Sequence, residues 1–378
     1  MFDKTGQFPD KNLFFAIFAL IIFGWVMSYS ASIHADSGVI SKVMKQGGFI
    51  VLGLFAGFLV LKLPLSFFQK FSPYFFAIAL VLLGIVLLPE PISHSAGGAQ
   101  RWINLGMFKF QPSEMMKVTM VLFMAGFLIR QEKSVTGSRK GLLSALIIII
   151  LSGVLTMLET DFGATLIISI TAFSMVFIAG SFVKELLYLG GALFVAALGF
   201  IWFDPVRSKR LFEFWQGDLW LNQSDKVDQT KQALIAIARG DWTGTGLGAG
   251  IQKYSRLSES HTDMIFAIIG EELGIIGMLS VLFAFAYILN KGFNIAIQAL
   301  QHGKKYSSYV AFGICTWLSM QVSVNIAMNL GLIPIKGFTL PLISYGGSSL
   351  IFAIIAMALL LRIDMENRAD YNKRKQYV

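Results

Sequence analysis

The run NLFFAIFALIIFGWVMSYSAS (12–32) carries no charge along its whole length. As a helix rising ~1.5 Å per residue it spans the ~30 Å hydrocarbon core of a bilayer. Mostly apolar windows of about 18 to 22 residues recur along the chain. They fall at 12–32, 46–63, 73–89, 112–130, 142–158, 163–180, 185–203, 263–289, 308–330 and 344–362. A soluble core does not require such runs, and the composition agrees: 55% hydrophobic, 14% charged, mean hydropathy +0.67. The period-2 alternation of outer-membrane strands is missing, so the spans are expected to be helices. The first span is long and lacks a small-residue cleavage site, so it is expected to be retained. The fold class is therefore an all-α polytopic membrane protein with about ten transmembrane helices.

Lys and Arg in the short loops set the expected orientation. With both termini on one side, that side collects Lys62, Lys70, Arg130, Arg139, Lys140, Lys304, Lys305 and the basic tail, among others. The opposite loops hold only Lys42, Lys45, Arg101, Lys109 and Lys336. Both termini are expected in the cytoplasm, and the net charge of +9 reflects this bias rather than nucleic-acid binding. The chain reads as one membrane domain, 1–378, with a cytoplasmic tail from about 363 to 378. A large extracytoplasmic loop, about 204–262, joins the seventh and eighth spans. It contains a Trp-rich amphipathic stretch, the candidate short helix DQTKQALIAIARGDW, and GTGLGAG (244–250). That glycine run follows no strand and lacks the Gly-Lys-Ser/Thr ending of a phosphate loop, so it is read as a loop. Cys315 sits inside a span and is read as a small buried apolar residue.

Ionisable residues in or at the ends of spans are costly, and here they gather on the extracytoplasmic face. Glu114 and Lys117 lie three residues apart on one face at the start of the fourth span. Asp161, beside Glu159, opens the sixth span; Asp263 opens the eighth; Arg101 and Arg210 come from outer loops. Each has a structural reading. Glu114 complements a helix N-terminus after Pro112 and pairs with Lys117. Asp161 caps a helix, and Asp263 is a first-turn acid after a Thr262 cap. Trp102 is either an interfacial anchor or a substrate-facing ring. Glu271 and Glu272 need partners that the sequence does not name. PLISYGGSS (341–349) reads as a re-entrant or tightly packed bend.

At these residues the chain resembles the SEDS family (shape, elongation, division, sporulation), which includes FtsW, RodA and SpoVE. The resemblance runs from the first span to the last. It is carried by GTGLGAGIQKYSRLSESHTDMIFAIIGEELG (244–274), NIAMNLGLIPIKGFTLPLISYGGSS (325–349) and GAQRWINLGMFKFQPSEMMKV (98–118). The first two blocks are closer to the FtsW division type than to the RodA elongation type. Two departures stand out. Leu257-Ser258-Glu259 replaces the usual Leu-Pro-Glu, and Glu159-Thr160-Asp161-Phe162-Gly163-Ala164 replaces Gln-Pro-Asp-Leu-Gly-Thr.

The resemblance implies a peptidoglycan glycosyltransferase that polymerises lipid II during septal wall synthesis, with a class B penicillin-binding transpeptidase and other divisome proteins as partners. It places the protein in the bacterial cytoplasmic (inner) membrane at the septum. It matches the family's essential aspartate to Asp263, and its sensitive tryptophan, glutamate, lysine and second aspartate to Trp102, Glu114, Lys117 and Asp161. In that chemistry Asp263 is the general base for a sugar hydroxyl. Lys117, Arg101, Arg210 or a divalent cation (Mg or Mn) would balance the leaving pyrophosphate, and His261 adjoins the base. The metal requirement stays open. Two readings of other classes compete: a lipid II flippase, whose sites would lie near the midplane, and a non-catalytic divisome scaffold, which needs no converging charges.

Overall fold

The computed structural model describes residues 8–376 apart from 34–38, 90–92, 97–98, 105, 107–108, most of 182–224, 255–256 and 258–259. Its helices are α1 (Lys11–Ser32), α2 (Val39–Lys62), α3 (Leu65–Val86), α4 (Pro112–Arg130), α5 (Glu132–Gly137), α6 (Arg139–Leu158) and α7 (Phe162–Ile178). After the incompletely described segment come α8 (Asp225–Gly240), α9 (Ile265–Gln301), α10 (Lys305–Asn329) and α11 (Gly347–Gln376). Among the described residues eight helices are long and apolar enough to cross a membrane, and α7 is a shorter apolar one. The protein is thus an all-α polytopic membrane protein. The expected span 185–203 lies mostly outside the described residues.

Local chemistry fixes most helix starts. Asp10 caps α1 by accepting from the amides of Asn12 and Leu13 at 2.9 and 3.2 Å. Pro112 opens α4, where its missing N–H costs nothing. The third span starts at Leu65, eight residues' worth of chain before the apolar window at 73–89, because Gln69, Lys70 and Ser72 dilute the hydropathy of what is already helix. Pro73 lies inside this helix; it removes an amide donor, and Ser72 Oγ donates to the Gln69 carbonyl at 3.1 Å. The segment expected as a tail continues α11, and Ile363, Asp364, Met365 and Asn367 within it are buried.

α2 packs on α11, α9 on α10, α3 on α4 and α6 on α7, with α4, α7 and α10 in mutual contact at the centre. α4 is accordingly buried almost all round, from Met116 to Leu128. Phe15, Val51, Ile147 and Phe283 point outward, the pattern of helices solvated by lipid. Close crossings use small residues. Gly24 of α1 lies against the bend at Leu342–Ile343, where a Cβ would stand 2.5 Å from Ile343 Cα, so the tight-bend reading of PLISYGGSS holds. Cys315 is buried against Gly292, as a small apolar residue would be.

The two ends of the bundle differ. One carries both termini, joined by Asp10 to Asp364, Lys291 and Arg368. The other carries the starts of α4, α7 and α9. The polar loop before α4 forms a small antiparallel sheet: β1 (Ser93–Ala96), β2 (Ala99–Asn104) and β3 (Lys109–Phe110). Ser93 pairs with Ile103, and Ile103 with Phe110.

Candidate active site

Asp161 is the N-cap of α7. Its Oδ1 accepts from the Ala164 amide at 3.2 Å, and its Oδ2 from Gln111 Nε2 and Ser113 Oγ at 3.1 Å each. The cap therefore also ties α7 to the start of α4. Glu114 and Lys117 form an ion pair of 2.7 Å, almost wholly buried. Lys117 Nζ also donates to Gln321 Oε1 at 2.9 Å and lies 5.1 Å from the Trp317 ring centroid. Trp317 Nε1 donates to the same Gln321 oxygen at 2.7 Å, and Gln321 Nε2 donates to the Thr339 carbonyl at 3.0 Å. A cleft of about 20 Å³ lies among Gln111, Glu114, Lys117, Asp161, Gln321 and Thr339.

Asp263 is not a first-turn acid. α9 begins at Ile265 with Met264 as N-cap, and Met264 supplies no side-chain cap. The cap comes from α10, where Asn329 Oδ1 accepts from the Ala267 amide at 3.0 Å. Asn325 and Asn329 each donate to the Asp263 carbonyl at 3.0 Å, and Asn325 also donates to Phe338 O. Ser344 Oγ donates to the Thr262 carbonyl at 2.6 Å, and the Tyr345 amide to the His261 carbonyl at 2.9 Å. The His261 ring meets Tyr345 edge-on at 5.4 Å. The backbone of His261-Thr262-Asp263 is thus clamped between α10 and the bend before α11. The half-buried Asp263 side chain faces Gly337, where an added Cβ would stand 3.5 Å from Asp263 Oδ2 and 3.8 Å from Arg101 Nη1.

Arg101 reaches this point from β2 and donates from Nη2 to the Thr160 carbonyl at 2.8 Å. Trp102, the next residue of β2, is half-buried and pairs with His94 across the sheet. Arg210 lies outside the described residues. Glu159, between α6 and α7, is fully buried, and both carboxylate oxygens lack a hydrogen-bond partner among the described residues. Burial, reinforced by the Asp161 carboxylate and opposed by Arg101, raises its pKa to about 9, so it is protonated at neutral pH.

Glu271 and Glu272 find their partners in the loop that precedes them, on α1 and at the end of α8. Glu272 Oε1 lies 2.6 Å from Lys253 Nζ, and its Oε2 accepts from Ser30 Oγ at 2.5 Å and the Gly248 amide at 3.1 Å. Glu271 Oε1 accepts from the Ile251 amide at 2.7 Å and stands 3.9 Å from Arg239 Nε. The glycine-rich loop also bonds through Thr245 N to Glu271 O and Gly246 N to Glu272 O. Gly244, at φ +81, has no room for a Cβ against the Glu272 carbonyl. GTGLGAG is thus a loop fastened to α9. The fastening occurs where Gly274 (φ 67, ψ −166) interrupts the helix. The paired acids in an apolar span were a visible signal, but their partners lie about twenty residues away in the chain or on α1.

Among the described residues no group of three or more His, Cys, Asp or Glu is arranged to hold a metal ion. The candidate donors are otherwise engaged: Asp161 accepts three hydrogen bonds and Glu114 is paired with Lys117. Asp161 and Glu114 are therefore committed to protein partners rather than arranged as ligands of a cation.

The family described as "Cell cycle protein", the FtsW/RodA/SpoVE group, matches residues 11–369. The chain belongs to this family. It is 40% identical over 365 residues to the "Probable peptidoglycan glycosyltransferase FtsW" of Legionella pneumophila, covering 95% of this chain and 91% of that one. It is 38% identical to the protein of the same name from Polynucleobacter necessarius, over 95% and 86% of the two chains. Among solved structures, the rod shape determining protein RodA of Thermus thermophilus superposes with a TM-score of 0.70 at 25% identity, covering 95% and 97%. A chain from the structure described as "Structural coordination of polymerization and crosslinking by a peptidoglycan synthase complex" gives a TM-score of 0.78 at 24% identity, over 95% and 98%. The latter likeness speaks to the fold alone.

Proposed function

We propose that this chain is a peptidoglycan glycosyltransferase of the FtsW type, polymerising lipid II with Asp263 as general base. The observation that carries the assignment is the approach of Asp263 Oδ2 and Arg101 Nη1 to one point, beside Gly337, which has no side chain to fill it. The reaction joins a sugar hydroxyl of one lipid-linked disaccharide to the anomeric carbon of another. The O–H proton passes to the Asp263 carboxylate, the new C–O bond forms, and the bond to the lipid pyrophosphate breaks. A positioned carboxylate accelerates such a step by roughly 10²–10⁴-fold. Arg101 meets the pyrophosphate charge as it develops. Lys117 suits that role less well, since Glu114 already neutralises it; it organises the cleft wall through Gln321 and Thr339. Asp161 holds α4 and α7 in register around the same cleft. Arg210, Trp102 and His261 are supporting residues in this reading, and a divalent cation, if required, would arrive with the substrate pyrophosphate.

The site sits at the ends of helices rather than at mid-bundle, which favours headgroup chemistry at the membrane edge over alternating access. With both termini cytoplasmic, it faces the space where wall is made at the division septum. The proposed partner is a crosslinking transpeptidase of the class B penicillin-binding type, as membership of the FtsW/RodA/SpoVE family implies. The test is polymerisation of labelled lipid II by the purified protein, with and without that transpeptidase. Asp263→Ala and Asp263→Asn should lose glycan strands by the factor above while eluting and melting like the parent. Strands of normal length from either variant would overturn the assignment of the base. A parent protein that scrambles lipid II in liposomes without joining it would overturn the enzyme itself.

A further inference from the structure

We propose that a cleft between α3 and α4, at the end of the bundle that carries both termini, binds the headgroup of an anionic phospholipid. The cleft has a volume of about 630 Å³ and is lined by Ser66, Gln69, Lys70, Pro73, Tyr74 and Arg130. Five of these side chains end in hydrogen-bond donors, two of them cationic, and none is acidic. That set is matched to a phosphate. Lys304, Lys305, Arg362 and Arg368 at the same end of the bundle each lie within 3.1 Å of a carboxylate. Lys70 and Arg130 pair with no acid among the described residues and instead flank Phe71 and Phe123, at 5.8 and 6.0 Å from the ring centroids.

Depth and shape point to an amphiphile rather than a free anion. Ser66 and Lys70 fall in the first two turns of α3 and Arg130 is the last residue of α4, so the donors gather where the two spans end. The face of α3 that bears Ser66, Lys70 and Tyr74 continues at helical spacing through Ile78 and Val81 toward mid-membrane. Tyr74, Ile78 and Val81 are 65%, 50% and 62% exposed, an unbroken apolar track for an acyl chain below the donors. Pro73 shapes the wall of the cleft, and the small Gly126 behind it keeps Arg130 close: a Cβ there would stand 2.9 Å from Arg130 Nη1. Basic pockets between helices at the cation-rich side of a membrane protein are suited to acidic lipids. The cleft lies at the opposite end of α4 from Glu114, so it is separate from the candidate active site.

The experiment uses the full chain reconstituted in phosphatidylcholine vesicles doped with spin-labelled phosphatidylglycerol or spin-labelled phosphatidylcholine. The expected result is a motion-restricted population with a preference for phosphatidylglycerol. That preference should fall roughly tenfold or more in Lys70→Gln/Arg130→Gln, the scale of two interfacial cations, and stay unchanged in the control Lys133→Gln/Lys140→Gln. Tyr74→Leu separates charge from packing and should weaken the preference less. Equal retention of the two lipids by the parent, or an unchanged preference in the double variant, overturns the proposal. Full displacement by inorganic phosphate reassigns the cleft to a free anion, and displacement only by an acidic peptide reassigns it to a protein partner; either outcome overturns the lipid.

Discussion

The two ends of this bundle use the same residue types to opposite purposes. At the termini end, Asp10, Lys291, Arg368 and Asp364 form a network whose lysine and arginine are 39% and 45% exposed. At the other end, Lys253–Glu272 is fully buried and Lys117–Glu114 is 3% and 10% exposed. Exposed pairs contribute ~0–1 kcal/mol, because water and side-chain entropy offset the attraction. A buried pair is a weak source of net stability but costs ~3–5 kcal/mol when one member is lost, since the other charge stays buried alone. The Lys291–Asp10 pair at the termini end is therefore tolerant, and the two buried pairs at the site end are brittle. Brittleness there has a use: a charge that cannot be solvated elsewhere keeps its loop and helix in one arrangement.

The largest expected effect tests that contrast directly. Glu272→Ala should lower stability by ~3–5 kcal/mol, seen as a large drop in melting temperature in detergent. Lys253→Met/Glu272→Met should recover most of the loss; failure to recover would mean that the packing of the loop, rather than the stranded charge, sets the cost. Next in size is Asn329→Ala. It removes one of the two side-chain donors to the Asp263 carbonyl and the acceptor for the Ala267 amide, costing ~1–3 kcal/mol. Its polymerisation rate should fall further than its stability, because the Asp263 backbone is then held by Asn325 alone on the α10 side of its clamp.

A subtler probe is Glu159→Gln. The folded pKa near 9 exceeds the ordinary glutamate value of 4.5, so the folded state binds the proton more tightly between those values. Stability therefore declines as pH rises through that window, and the full cost is reached above about pH 9. The amide cannot ionise, so the melting temperature of Glu159→Gln should lose this share of its decline between pH 5 and 9. Identical pH profiles for the two proteins would place Glu159 in a more polar setting than the fold suggests. The smallest effect is expected for Lys291→Ala at the termini end, at most ~1 kcal/mol and reduced further by salt. A loss comparable to that of Glu272→Ala would dissolve the comparison.

Much of the frame was legible in the sequence, because hydropathy alone dictates which segments leave water. The apolar windows from 12–32 to 344–362 coincide with described helices wherever the chain is described, apart from their ends. The gathering of Glu114, Lys117, Asp161 and Asp263 at one end was equally legible, since alternation of spans assigns each helix start to a side. What escaped depends on contacts far apart in the chain. Nothing near Glu272 announces Ser30 or Lys253, and nothing near Met264 announces that Asn329 of α10 will cap α9. The small sheet at 93–110 was missed because its strands are only a few residues long and lie in a polar loop, where hydropathy says little. Gln321, Asn325 and Asn329, each one turn apart in an apolar span, were an overlooked signal that the sequence did contain.

Gly274 sets how the outer part of α9 can move. A side chain there would collide with Gly244 N and Trp242 O, each 2.5 Å from the position of its Cβ. Beyond it, Ile275 and Ile276 donate their amides to Asp241 and Trp242 of the loop rather than to the turn before them. Residues 265–273 therefore form a short rod jointed to the long span and stitched to the loop on its other side. The loop thus straddles the joint, held to the rod through Thr245 and Gly246 and to the first turn of the long span through Asp241 and Trp242, so any shift of the loop bears on the angle between the two parts and, through the rod, on the aspartate two residues before its first turn.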